Sequence, residues 1–257
     1  MGKATAPFLA IYFSAAVWAP HATALPNLVD YTGIRNVGII AATGSNVSLV
    51  GTGVTVFQNS QANFTWNSEE RLTDWISASI RKRFNIVPTP ADMDKIQSIA
   101  LEKNPDAKEL ESYFSTLTVS NSADAYIVVV PSTAHPMGFM FDGFGITRRS
   151  GLFTSESILF ANYAVLIVDA KTGKIQQWSK ARLIDGDPHS GLAAEPCDGS
   201  AWIDGPDAEQ KKTLILNELE NLVRVSLSKA MKNLGLPTTE ELNDAHLGSY
   251  PACHPIH

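Results

Sequence analysis

Apolar positions recur with two different periods along this chain, and the changes of period mark its elements. "NVGIIAA", residues 36–42, is a short continuous apolar run suited to a buried strand. "VSLVGTGVTVF", residues 47–57, is β-branched with Gly51 and Gly53 inside it, which predicts a strand with a bulge or a close backbone approach. The intervening "TGSN" reads as a tight turn, so the two runs are expected to open the fold as a β-hairpin.

From Asn67 the period becomes helical. Leu72, Trp75, Ile76, Ile80 and Phe84 share one stripe, Asn67 or Ser68 can cap it, and Glu69 and Glu70 sit where the helix dipole favours negative charge. "NIVPTP" is an extended piece stopped by two prolines. Two modest helical segments follow, 91–102 and 106–117, separated by Asn104-Pro105. In "ADAYIVVVPS" the five consecutive apolar residues Tyr126 to Val130 require burial on both faces, hence a central strand. Residues 155–185 read as a long hairpin turning at Asp169 to Gly173, where Gly173 can take the left-handed conformation. Residues 185–206 read as a Gly/Pro/Asp-rich loop. Ile215, Leu219, Leu222, Val223, Leu227, Ala230, Met231 and Leu234 then line one face of a long helix that Gly235 and Pro237 stop. The pattern predicts an α/β (α+β) fold. A mixed, largely antiparallel sheet is packed by helices in a single domain over 25–237, with a long C-terminal helix and a polar tail, 238–257.

One stretch breaks the pattern. "HPMGFMFDGFGITRRSGLF", residues 135–153, holds four phenylalanines, two methionines and four glycines between two strand-like runs. Read as an exposed contact loop, it offers Phe139, Phe141, Phe144 and Phe153 as anchors with Arg148 and Arg149 at the rim, since interfaces favour aromatics and Arg. Phe139 or Phe141 is expected to be tucked in, and 144–149 to be exposed. No helix follows Gly143-Phe144-Gly145 to present amides to a phosphate.

The N-terminus changes where such a loop would work. Lys3, the apolar run "APFLAIYFSAAVWA" and the small-x-small ending Ala22-Thr23-Ala24 make residues 1–24 an export signal, too short to span a bilayer. Its removal takes the formal charge from −6 to −7. A periplasmic or secreted location is expected, with no integral membrane segment afterwards. In that setting Cys197 and Cys253 are expected to form a disulfide tethering the tail. The acidic balance, with Arg81-Lys82-Arg83 as the longest basic run, argues against nucleic acid as a partner.

Catalytic signatures are sparse. Ser226-Leu-Ser-Lys229 matches S-x-x-K but lies late in the long helix without its usual partner motifs, and Lys171-Thr172-Gly173 lies at a hairpin tip. Asp185, Asp187 and His189, with Asp198, Asp204 and Asp207 beyond, offer an acidic loop, though its spacing fits turn chemistry as well as calcium. Cys253, His254 and His257, with His246, fall short of a spaced zinc set. Arg81 to Arg83 and Arg148-Arg149 would make an anion site only if they met. No cofactor and no metal is expected, and no catalytic residue is assigned.

"GIRNVGIIAATGSNVSLVGTGVTVFQN" and "GFGITRRSG" followed by "YAVLIVDAKTGKI" resemble uncharacterised bacterial exported proteins. The last hairpin is also similar to envelope modules grouped around the TolB N-terminal domain, curli-assembly outer-membrane proteins and penicillin-binding-protein activators. That resemblance implies partner binding rather than catalysis. Many of those modules are lipoproteins, and this chain lacks the cysteine that would carry the lipid. The function expected is therefore a non-catalytic binding or envelope-assembly module whose partner is an envelope protein or a small ligand. The alternative is an exported hydrolase or metal-dependent enzyme using residues 185–207.

Overall fold

The computed structural model describes residues 29–52, 60–102, 107–117, 122–133, 141–150, 155–183, 192–198, 201–203 and 205–253. The strands are β1 (Asn36–Ala41), β2 (Asn46–Thr52), β3 (Ser60–Thr65), β4 (Asn85–Val87), β5 (Ala125–Pro131), β6 (Gly143–Ser150), β7 (Ser155–Asp169), β8 (Ile175–Lys180) and β9 (Ala193–Asp198). The helices are α1 (Ser68–Ile80), α2 (Met93–Ala100), α3 (Ala107–Leu117), α4 (Ala208–Asn233) and α5 (Glu240–Asn243). Mixed α and β content, one curled mixed sheet and a 26-residue C-terminal helix match the expected class.

The sheet is organised on β7, 15 residues long. Its first half pairs antiparallel with β6 and β9, its second half with β5 and β8. Pro131 pairs with Tyr163 and Gly143 with Asn162, and the Gly143 amide donates to the Ser132 carbonyl at 3.3 Å. β5 and β6 therefore lie end to end along one edge of β7. On the other edge β8 ends opposite Ala164 and β9 begins opposite Ala161, again end to end. Beyond β5 lie β1 and β4, and beyond β6 lie β2 and β3, so the pairing path reads β3-β2-β6-β7-β5-β1-β4.

This arrangement corrects the opening hairpin. β1 runs parallel to β5 and β2 parallel to β6, so β1 and β2 follow one another in the same direction. Gly44, at φ +73°, bends the chain from one half-sheet to the other without reversing it. The bend is held from α1: Ser68 Oγ donates to the Gly44 carbonyl, and the Gly44 amide donates to Glu69 Oε1 at 2.9 Å.

Strand alternation sends side chains to two cores. α1 and α4 pack on one face, where Leu72, Ile76, Leu219, Val223 and Leu227 meet Ile127, Val129, Val165 and Ile167. α2 and α3 cover the other face of the β5 half, where Ile96, Leu110 and Phe114 meet Tyr126, Val128, Leu166 and Val168. All seven β5 residues are buried, as a strand sandwiched between helices must be. β9 lies within the region expected to be loop. Its sequence "AAEPCD" carries no strand signal of its own; the ladder with β7 makes it one.

Candidate functional site

The aromatic run is built differently from the exposed loop expected of it. Residues 143–150 form β6, and Phe144 is 1% exposed, set edge-on against Trp66 with ring centroids 5.1 Å apart. Phe141 is 4% exposed and stacks edge-on against Phe160 at 4.9 Å. Both are core side chains, and residues 144–147 are all buried, which corrects the exposure expected for that part of 144–149. The glycines fit the same account. Gly143 starts the strand at φ +64°, and a Cβ on Gly145 would stand 2.5 Å from the Ser48 carbonyl and 2.6 Å from the Phe160 ring. Arg148 is partly buried, its guanidinium 5.8 Å from the centre of the Trp202 ring. Phe139, Phe153 and the Arg149 side chain lie outside the described residues, as do Asp185, Asp187, His189 and Asp204.

What the structure does bring together lies at the midpoint of β7. The chain leaves β5 at Ser132 and returns at Phe141 to enter β6, and Asn162 holds both ends. Its carbonyl accepts from the Ser132 amide at 2.9 Å, and its Nδ2 donates to the Phe141 carbonyl at 2.6 Å. The chain leaves β8 at the same level on the opposite edge, where the Ala181 amide donates to the Tyr163 carbonyl at 2.9 Å. The aromatic segment and the acidic segment thus leave the sheet from facing strand ends.

Between those exits lies a shallow crevice lined by Val130, Pro131, Ser132, Ala164, Leu166, Trp178 and Lys180, with no room inside it for a water-sized sphere. Lys180 pairs with Ala164 across β7 and β8 and is 7% exposed. Burial holds its amine below the ordinary lysine range. No hydrogen bond or ion pair to this amine is made among the described residues. Ser132, 2% exposed, keeps its hydroxyl without a partner, as does Oδ1 of the fully buried Asn162. Sequence reasoning missed Lys180; the only available signal was a charge at the end of a strand whose other inward positions are neutral.

A second buried polar cluster fastens the C-terminus. Glu218 of α4 accepts from the Gly248 amide, the Ser249 hydroxyl and, at 3.0 Å, the Tyr250 amide. Glu195 of β9 faces it, and both carboxyls are fully buried. Burial first, and then the facing Glu218 charge, push the Glu195 pKa up to about 8. Two residues along β9, Cys197 is bonded to Cys253 with the sulfurs 2.05 Å apart, the expected disulfide. This excludes Cys253 as a zinc ligand.

The remaining motifs have structural explanations. Ser226 is buried, sharing a 2.9 Å hydrogen bond with Tyr163 Oη, and Lys229 donates to the Leu183 carbonyl. At the hairpin tip Asp169 accepts from the amides of Lys171 and Thr172. The Arg83 guanidinium lies 5.0 Å from the centre of the Tyr31 ring, and no described contact joins it to Arg148. No group of three or more metal-ligating side chains occurs among the described residues, and no described helix is long and apolar enough to cross a membrane.

Solved structures similar to this chain include the lipoprotein GNA1162 from Neisseria meningitidis, at 11% identity over 73% of this chain and 99% of that one, TM-score 0.29. They also include the hypothetical protein CT253 from Chlamydia trachomatis, at 8% identity over 79% of this chain and 94% of that one, TM-score 0.35. No protein-family model matches the sequence, and no curated protein matches it. Neither structural likeness assigns a role to a residue here, and the resemblance to TolB-type modules rests on the residues that carry it.

Proposed function

We propose that the protein is a non-catalytic binding or assembly module of the cell envelope, exported by residues 1–24. Its contact site lies where the aromatic segment leaves and rejoins the sheet. The observation that carries this reading is the Asn162 clamp, which fixes both ends of that segment on the central strand β7. Binding residues are commonly carried on connecting segments positioned by a rigid scaffold. Phe139, Arg149 and Phe153 remain the proposed contact residues. Phe141 and Phe144 belong to the core instead.

A photo-crosslinking side chain at position 139 tests this in native envelope. One saturable cross-linked species is expected, absent when the side chain is placed at exposed Lys82 instead. A ladder of weak products indistinguishable from the Lys82 control would refute the reading.

A further inference from the structure

We propose that the end of the molecule where α1 and α4 terminate docks on an anionic lipid surface. The inference goes beyond the contact-site reading, since it concerns the β7–β8 hairpin tip and its neighbours rather than the midpoint of β7. Short contacts bring the chain together there. The Tyr31 hydroxyl donates to the Leu234 carbonyl at the end of α4 at 2.6 Å, and the Tyr31 ring lies 5.9 Å from that of Phe84, just beyond α1. The Asn85 amide donates to the Arg35 carbonyl at 2.8 Å. The Asp124 carboxylate accepts from the Arg35 amide at 2.9 Å, and its carbonyl accepts from the Ala170 amide at 3.2 Å, which adds the hairpin tip. Arg35, Arg81, Lys82, Arg83, Lys171 and Lys232 are all exposed at this end. The carboxylates beside them are those of Asp30, Asp124 and Asp169, so this end is basic on a chain of formal charge −6.

The fold itself does not use these charges up. Arg81, Lys82 and Lys232 make no ion pair among the described residues. The adjoining chain outside those residues, 25–28 and 118–121, contains no Asp or Glu to neutralise them. A helix C-terminus favours a nearby cation, but Arg35 and Lys171 belong to no helix. Two features select a lipid surface among anionic partners. Residues 6–19, the apolar run of the export signal, precede Tyr31, so the part of the chain suited to a bilayer joins the fold at this end. Ile86, the one large apolar residue exposed among the described residues, stands on the edge strand β4 beside Asn85. A basic surface with an apolar point matches what a headgroup layer offers, clustered negative charge above hydrocarbon. An acidic polypeptide offers the charge without the hydrocarbon.

The test floats the exported protein, after removal of residues 1–24, with vesicles of phosphatidylcholine alone or mixed equally with phosphatidylglycerol. Binding is expected to the mixed vesicles only, and should fall steeply as salt is raised, because exposed charges are screened. Arg81→Gln combined with Lys82→Gln should lower the bound fraction several-fold at low salt. Lys108→Gln combined with Lys212→Gln removes the same charge near the starts of α3 and α4 and should bind as the wild type does. Lys171→Gln, at the hairpin tip, should give a smaller loss and serves if the first double variant folds poorly. Soluble polyglutamate at matched charge should displace little protein from the mixed vesicles; complete displacement would assign this end to an acidic polypeptide and overturn the inference. Equal binding to both kinds of vesicle, equal losses in the two double variants, or no binding to the mixed vesicles would overturn it as well. Cross-linking from position 139 is independent of all these outcomes, so a failure here leaves the contact-site reading standing.

Discussion

At the level of single residues, the two phenylalanines that look most like contact anchors are the ones the fold uses inside. Phe144→Ala should cost about 3–5 kcal/mol of stability, as large aromatic deletions in a core do, measured by urea unfolding. A loss under about 1 kcal/mol would mean that the ring is solvent-facing. Glu195 yields a prediction about pH. Its folded pKa of about 8 lies above the ordinary value of 4.5, so the folded state keeps a proton that the unfolded chain has released. The stability tied to that proton is whole below about pH 4.5 and is lost as the pH rises to about 8. Calorimetry across this window should show the wild-type melting temperature falling more steeply than that of Glu195→Gln, which keeps the neutral shape. At about pH 8 the variant should melt higher. Parallel curves would place the Glu195 ionisation outside the window.

At the level of elements, the disulfide and the Glu218 cap hold one short tail from opposite sides. Tyr250 and Cys253 are buried there with the α4 core, and Leu242 of α5 joins them. Cys197→Ser with Cys253→Ser closes off the bridge and should lower stability by about 2–4 kcal/mol in denaturant titrations. Hydrogen exchange should rise first at residues 248–253, whereas exchange rising uniformly would argue against a locally fastened tail. This is also the scale at which legibility in the sequence varied. α1 and α4 were readable because their apolar stripes are long enough to impose one period, and β5 because five apolar residues in a row leave little choice. β3, "SQANFT", and β9, "AAEPCD", were not, because neither carries an apolar alternation; both are strands by virtue of their neighbours. The Gly44 bend defeated the hairpin reading because a glycine in the left-handed region serves a reversal and a change of sheet equally well. Of the candidate site, the aromatic composition was legible and its burial was not. Gly145 looks like a turn residue until Phe160 is found over it. Gly145→Ala should therefore destabilise the protein far more than an exposed turn glycine would, measured beside Gly205→Ala, whose added Cβ has nothing within 4 Å. Gly205→Ala meets only the strain of φ +74°, so a loss at Gly145 larger than that one marks the missing space. Equal losses would remove the close-packing explanation.

At the level of the whole molecule, one strand sets the position of nearly everything else. The two segments richest in unusual chemistry, the aromatic one and the acidic one, leave β7's flanking strands at the same height, and Lys180 stands between their exits. A site at that junction would be framed by strand ends, as binding sites on stable scaffolds commonly are. Amide protons in the second half of β7, flanked by β5 and β8 and covered by helices on both faces, should exchange only through global unfolding. Those of β3 and β4, at the ends of the pairing path, should exchange by local opening. Exchange of β7 at the rate of β3 would contradict its place as the centre of the sheet.

The length of β7 also bears on the order in which the chain can acquire its structure. Every strand of the path outside β7 precedes it in sequence, and β8 and β9 follow it. A chain emerging N-terminus first must carry its first 154 residues without the strand that joins the two half-sheets. Long-range pairing of this kind is slow to nucleate, because distant segments must meet before any of them gains. The same delay would leave the two half-sheets unjoined until β7 itself has been made.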